Sequence, residues 1–140
     1  MPPTIVLHGN YLATLPAFAL FFAVGLVLTA VFVLVYLRVT PYAEIEAIRQ
    51  GNTAAAVSLA GAVLGFLLPL GSAIVNSHHV EDMAAWGAVA LVVQIALYLI
   101  AKRAWPWLAE GVAQGRVAAA TLLATLSVGV GILNAACMAF

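Results

Sequence analysis

Apolar positions in this chain do not alternate with polar ones; they run on without interruption. Residues 12–37, 52–77, 83–101 and 117–140 contain no Asp, Glu, Lys, Arg or His. Each run is close to the roughly 20 residues that a helix rising about 1.5 Å per residue needs to cross the hydrocarbon of a bilayer. The pattern predicts four transmembrane helices joined by short polar connections. The fold class is all-α, an integral membrane four-helix bundle forming a single domain over residues 1–140. The first run lacks a basic segment ahead of it and exceeds the apolar core of a secretory signal, so it is expected to stay in the protein. Asp82 is placed to cap the third helix, and Pro69 is expected to kink the second near its end unless neighbours satisfy the freed carbonyl.

Composition narrows the picture mainly by exclusion. Only 7% of residues are charged and 66% are hydrophobic, with a mean hydropathy of +1.15, whereas a soluble domain carries about a quarter charged residues. A formal net charge of zero argues against nucleic acid as a partner; the bilayer itself is the expected one. Cys137 is the only cysteine, which rules out an intramolecular disulfide and marks it first as a small packing residue.

The charges that remain orient the chain. The five basic residues are Arg38, Arg49, Lys102, Arg103 and Arg116, and all lie in or beside the connections 38–51 and 102–116. The positive-inside rule then places both connections in the cytoplasm, with both termini and the central loop "NSHHVED" on the outer side. Trp86 near the outer face, with Tyr42, Trp105 and Trp107 near the inner one, fits the aromatic belts of a membrane protein.

The chain also repeats itself. Gln50, Gly51, Ala54, Ala55, Ala56, Leu59, Ala60 and Gly65 recur at a constant offset as Gln114, Gly115, Ala118, Ala119, Ala120, Leu123, Ala124 and Gly129. Upstream, with one residue's slip, "LRVTPY" has "KRAWPW" as its counterpart. Two units, about 11–77 and about 82–140, are therefore expected, each a helix, a basic Pro-containing elbow, a Gln-Gly turn and a small-residue helix. Because each unit holds two helices, the repeat is parallel, with its pseudo-twofold axis along the membrane normal. Lipid is as apolar as Leu, so membrane helices associate through close backbone approach at small residues. Gly61 and Gly65, with Ser127, Gly131 and Ala135, supply such faces. The second and fourth helices are expected to pack on each other at the centre, with the Leu-, Val- and Phe-rich first helix facing lipid.

Candidate chemistry is sparse. Ser58, Gln94 and Thr125 lie at similar depth, and Thr29 aligns with Gln94 in the repeat; they form either a set of interhelical hydrogen bonds or the lining of a hydrated path. Toward the outer side, Ser72, Asn76, His78, His79, Glu81, Asp82, Asn134 and Cys137 gather, and His8 is expected on that side too. Two imidazoles beside two carboxylates suit a divalent metal or a response to pH. Adjacent histidines diverge on most backbones, however, and no metal-binding helix spacing is present, so a solvated loop is the plainer reading of His78 and His79. The absence of Asp, Glu, Lys, Arg and His from the four cores argues against a proton-coupled carrier. No catalytic constellation, phosphate loop or cofactor motif is visible, and neither enzymatic activity nor a cofactor is expected.

The stretches "EIEAIRQGNTAAAVSLAGAVLGFLLPL", "WGAVALVVQ" and "GILNAACM" resemble the YjfL-like family of small bacterial inner-membrane proteins, a domain-of-unknown-function family, over nearly the whole chain. The resemblance implies a four-helix protein of the inner membrane with a duplicated two-helix unit, and a setting in envelope stress or export. It carries Gly51, Asn52, Pro69, Gln94, Asn134 and Cys137 as motif positions, although Arg116 stands where a second copy of Asn52 would fall. Two functions are carried forward. The first is a homo-oligomeric channel-like or transport-related protein with its path between subunits. The second is a non-transporting anchor or regulatory subunit, which would meet a partner through the elbow charges Glu44, Glu46, Arg49, Arg103, Glu110 and Arg116; for most of these charges a solvated loop end is the plainer reading.

Overall fold

A computed structural model describes residues 11–139; His8 and Phe140 lie outside them. The chain forms six helices among these residues: α1 (Tyr11–Val39), α2 (Glu44–Arg49), α3 (Thr53–Asn76), α4 (Val80–Ala104), α5 (Pro106–Ala113) and α6 (Val117–Cys137). Four of them, α1, α3, α4 and α6, are long and apolar enough to cross a membrane. That architecture follows from the medium, since a helix satisfies its backbone donors and acceptors internally and lipid offers none.

Three details depart from the sequence reading. First, α4 runs from Val80 to Ala104 rather than 83–101, with Glu81 and Asp82 in its first turn and Lys102 and Arg103 in its last. Both sets of charges sit at the helix ends whose dipole they oppose. Asp82 is consequently not the cap; His79 occupies that position, and no side-chain cap bond is made. Second, α6 stops at Cys137. Third, each basic connection contains a short helix, α2 or α5, where only an elbow and a turn were expected. Pro106 opens α5 at a position where its missing N–H costs nothing.

The two short helices end alike. The N–H of Asn52 bonds to the Ala47 carbonyl and that of Gly51 to Ile48, while Arg116 bonds to Gly111 and Gly115 to Val112. This double bond pattern needs a left-handed residue after the helix, and Gly51 and Gly115 have φ of 93° and 80°. The Gln-Gly pairs are thus helix stops. Asn52 does more than its counterpart. Its Oδ1 accepts from the Ala55 N–H at 3.0 Å, capping α3, and its Nδ2 donates to the Val112 carbonyl of α5 at 3.1 Å. Arg116 makes no cap bond for α6.

α3 is the central element, touching α1, α2, α4, α5 and α6. Its densest contact is with α6, where the small faces of the two helices meet. A Cβ on Gly61 would collide with Ala124, one on Gly65 with the Ser127 carbonyl and the Gln94 amide, and one on Gly131 with the Gly65 backbone. α3 continues through the buried Pro69, which has no N–H for the Gly65 carbonyl four residues earlier. That carbonyl lies where a Cβ on Gly131 would stand. The Gly131 Cα hydrogen therefore faces it, a weak C–H···O contact in place of the lost bond. α1 packs on α4 and α3 along Gly25, Phe32 and Tyr36 and leaves most of its other residues exposed. Phe32 stacks on Phe66 at 4.6 Å between ring centres.

Candidate functional site

The polar residues inside this packing do not meet in one cluster. On α4 the buried positions Met83, Gly87, Ala90, Gln94, Tyr98 and Ala101 form one helical stripe, so that Gln94 and Tyr98, four residues apart, share a face. Gln94 is 3% exposed. Its Nε2 donates to the Ser127 carbonyl at 3.0 Å, which ties α4 to the point where α3 and α6 are closest. Its Oε1 is buried and has no partner.

Ser58 and Thr125 do not join it. Ser58 is buried against Tyr36, with its Oγ 3.2 Å from the tyrosine hydroxyl. Thr125 is exposed and donates to its own Thr121 carbonyl at 2.7 Å, beside an open apolar groove lined by Ala60, Leu64, Thr121, Ala124, Gly129 and Ile132. Thr29 similarly bonds to the Gly25 carbonyl. The layer foreseen from depth alone is therefore split, because residues at one depth on different helices point in different directions.

A second group lies under the first elbow, at the end of the molecule that carries the basic residues. Glu44, which sequence reasoning grouped with the elbow charges and their largely solvated ends, is 2% exposed. Neither of its carboxyl oxygens has a well-formed hydrogen bond, the neighbouring Tyr42 and Thr40 hydroxyls making only loose contacts with it. Among the described residues the ion pair on this elbow is Arg49 with Glu46, at 3.8 Å, while the Lys102 ammonium donates to the Val39 carbonyl instead. The carboxyl acts electrostatically on Tyr36, Tyr42 and Tyr98, and the rings of Tyr36 and Tyr98 meet edge to face at 5.1 Å. Burial pushes Glu44 up to about 7 from an ordinary 4.5, against the opposing pull of the Tyr42 and Thr40 hydroxyls. Burial and the charge of Glu44 together raise the Tyr42 phenol as well.

The signal for this site was present but short. In "EIEAIR" Glu44 is three and four residues from Ala47 and Ile48, both of which pack against the core. A six-residue helix is too brief for that spacing to stand out. The absence of charge from the spans had argued against proton chemistry; Glu44 lies just outside the counted segments and folds beneath them.

The opposite end holds Ser72, Asn76, His78, Asp82, Asn134 and Cys137. Ser72 donates to the Ala135 carbonyl at 2.9 Å, linking α3 to α6, and Asn76 bonds back to Ser72. Asn76, His78, Asp82, Trp86 and Met138 border a small hollow. His78, His79, Glu81 and Cys137 are exposed, and among the described residues no three His, Cys, Asp or Glu side chains gather closely enough to hold a metal ion. Asn134 buries an Nδ2 that has no partner.

Comparison with known proteins adds a family to this geometry. The model of the family described as Domain of Unknown Function (DUF350) matches residues 10–138. UPF0719 inner membrane protein YjfL of Escherichia coli (strain K12) is 35% identical over 129 residues, covering 92% of this chain and 98% of the relative. The protein of the same description from Escherichia coli O157:H7 matches to the same extent. No solved structure matches the chain. With four membrane-crossing helices and a match along almost its full length, the chain is a multi-pass inner-membrane protein and belongs to the DUF350 family.

Proposed function

We propose that the protein is a channel-like, transport-related component of the inner membrane, without enzymatic activity, that works as a homo-oligomer. In this reading both termini are on the outer side and the connections 38–51 and 102–116 are cytoplasmic. The two halves form a duplicated, parallel two-helix unit in a four-helix bundle. The like-built helix stops at Gly51 and Gly115 support the duplication.

One observation carries the transport reading. Buried polar atoms without a well-formed hydrogen bond occur at Glu44, Tyr98, Gln94 and Asn134, and these positions run from the basic end of the molecule, through the middle of α4, to the far end of α6. A protein whose polar residues served only to hold helices together would satisfy them, because an orphaned polar group in hydrocarbon costs several kcal/mol, on the order of a lost hydrogen bond or more. Water or a polar solute reaching these levels supplies the missing partners.

A single chain encloses no wide passage, since α3 and α6 meet backbone to backbone. The buried positions Glu44, Tyr98 and Gln94 therefore mark a narrow route inside each chain, and any wider passage runs between copies. The Thr121 and Thr125 groove is an outward surface that a second copy could share. In liposomes carrying the purified protein, Gln94→Leu should change the flux of a small ion or polar solute at least several-fold while helix content and insertion stay unaltered. Equal flux for Gln94→Leu and the parent, in an assay where the parent conducts, would remove Gln94 from the path.

A further inference from the structure

We propose that Glu44 is a reversible proton-binding site at the cytoplasmic mouth of this path, with the proton as its ligand; the cytoplasmic assignment and the path rest on the transport reading above. The geometry is that of a closed cluster. The carboxyl is 2% exposed and neither oxygen has a well-formed hydrogen bond, only loose contacts from the Tyr42 and Thr40 hydroxyls. A carboxylate buried without a cation is disfavoured, and it escapes the penalty by taking a proton.

The groups facing Glu44 leave that route open. From α1 comes Tyr36, from the connection Thr40 and Tyr42, and from α4 Tyr98. None of them is a cation. The Lys102 ammonium of α4 is committed to the Val39 carbonyl, Arg49 to Glu46, and Arg38 is exposed. The value near 7 agrees with this geometry. At neutral pH the site would exchange its proton, leaving a carboxylate when the O–H bond breaks and regaining the acid when it forms.

The surroundings also give the proton somewhere to go. Tyr36 hands on to Ser58 of α3 at 3.2 Å. The Tyr98 hydroxyl is buried and unpartnered, one turn along the same face of α4 from Gln94, whose Oε1 is equally unpartnered. Hydroxyls that both donate and accept are the side chains a proton relay uses once water fills the gaps.

Infrared titration of the protein in lipid tests the assignment. The parent should show the carbonyl stretch of a protonated carboxyl that disappears as pH rises through about 7, and Glu44→Gln should lack that band. Tyr98→Phe, which keeps the ring, should retain the band with a displaced midpoint. If no carboxyl of the parent titrates near neutrality, the proposal is overturned without recourse to any variant. A neutral-range band that survives Glu44→Gln in folded protein overturns it equally. Solute flux is measured on the same preparations. Flux with no Glu44 titration would sink the proton site and leave the transport reading standing; titration with no flux of any solute would do the reverse.

Discussion

Replacing Gly131 with Ala adds one methyl group at the place where α6 lies closest to α3. The new Cβ would overlap the Gly65 carbonyl oxygen and approach its Cα to 2.7 Å and its carbonyl carbon to 2.8 Å. Carbon atoms in contact prefer about 3.5–4.0 Å, so the helices must part by on the order of 1 Å. All the atoms in the way belong to backbone, and no flexible side chain can swing aside. Overpacking of this kind costs roughly 1–3 kcal/mol, offset by the ~1 kcal/mol that Ala gains over Gly in a helix. Separation would also stretch the Gln94–Ser127 bond, a further ~0.6 kcal/mol by the average for membrane proteins. The net expectation is a loss of about 1–2 kcal/mol. Gly129, two residues earlier on the outward side, has nothing within 4 Å of its Cβ position. Gly129→Ala should therefore be neutral or stabilising by up to ~1 kcal/mol. Reversible unfolding in mixed micelles, at protein concentrations low enough to keep copies apart, reads both values. Equal stabilities for the two variants, or a worse result for Gly129→Ala, would refute the backbone contact between α3 and α6.

Other consequences can be checked separately. Asn52→Ala removes both the cap of α3 and the bond to Val112 and should cost about 1–2 kcal/mol in the same unfolding assay; Asn52→Asp, which keeps the acceptor, should recover part of it. Because Glu44 has a raised folded-state value, the folded protein binds more protons than the unfolded chain between pH 4.5 and about 7. Its stability should fall as pH rises through that window, by on the order of 1–3 kcal/mol, and Glu44→Gln should flatten the slope in a pH series of unfolding curves. Cys137 is exposed at the end opposite the basic residues. A membrane-impermeant maleimide added to intact spheroplasts should label it, whereas labelling only after lysis would invert the proposed orientation.

How much of this was legible depends on the length scale of each signal. The four spans were plain because each is an uninterrupted apolar run, and the contact of α3 with α6 could be read from Gly61, Gly65 and Gly131, since small residues in a membrane helix have a packing explanation available. The Gln-Gly turns were visible as repeated pairs, yet their role as helix stops emerged only with the short helices α2 and α5, six and eight residues long. Polar groups were the hardest to place. Depth along a helix is a linear quantity, whereas partnership depends on azimuth as well. Gln94 therefore meets the Ser127 carbonyl rather than Thr125. Glu44 escaped notice for a related reason, because a charge beside a membrane is normally solvated and its burial under the first elbow is visible only in three dimensions.

The claim that a wider passage runs between copies is tested most directly by the mass of the native complex, extracted with its surrounding lipid and without prior detergent stripping. The account predicts a homo-oligomer of one defined size, built from 14.5 kDa chains. A monomer, or a fixed one-to-one complex with a different protein, would contradict it and favour an anchoring or regulatory subunit.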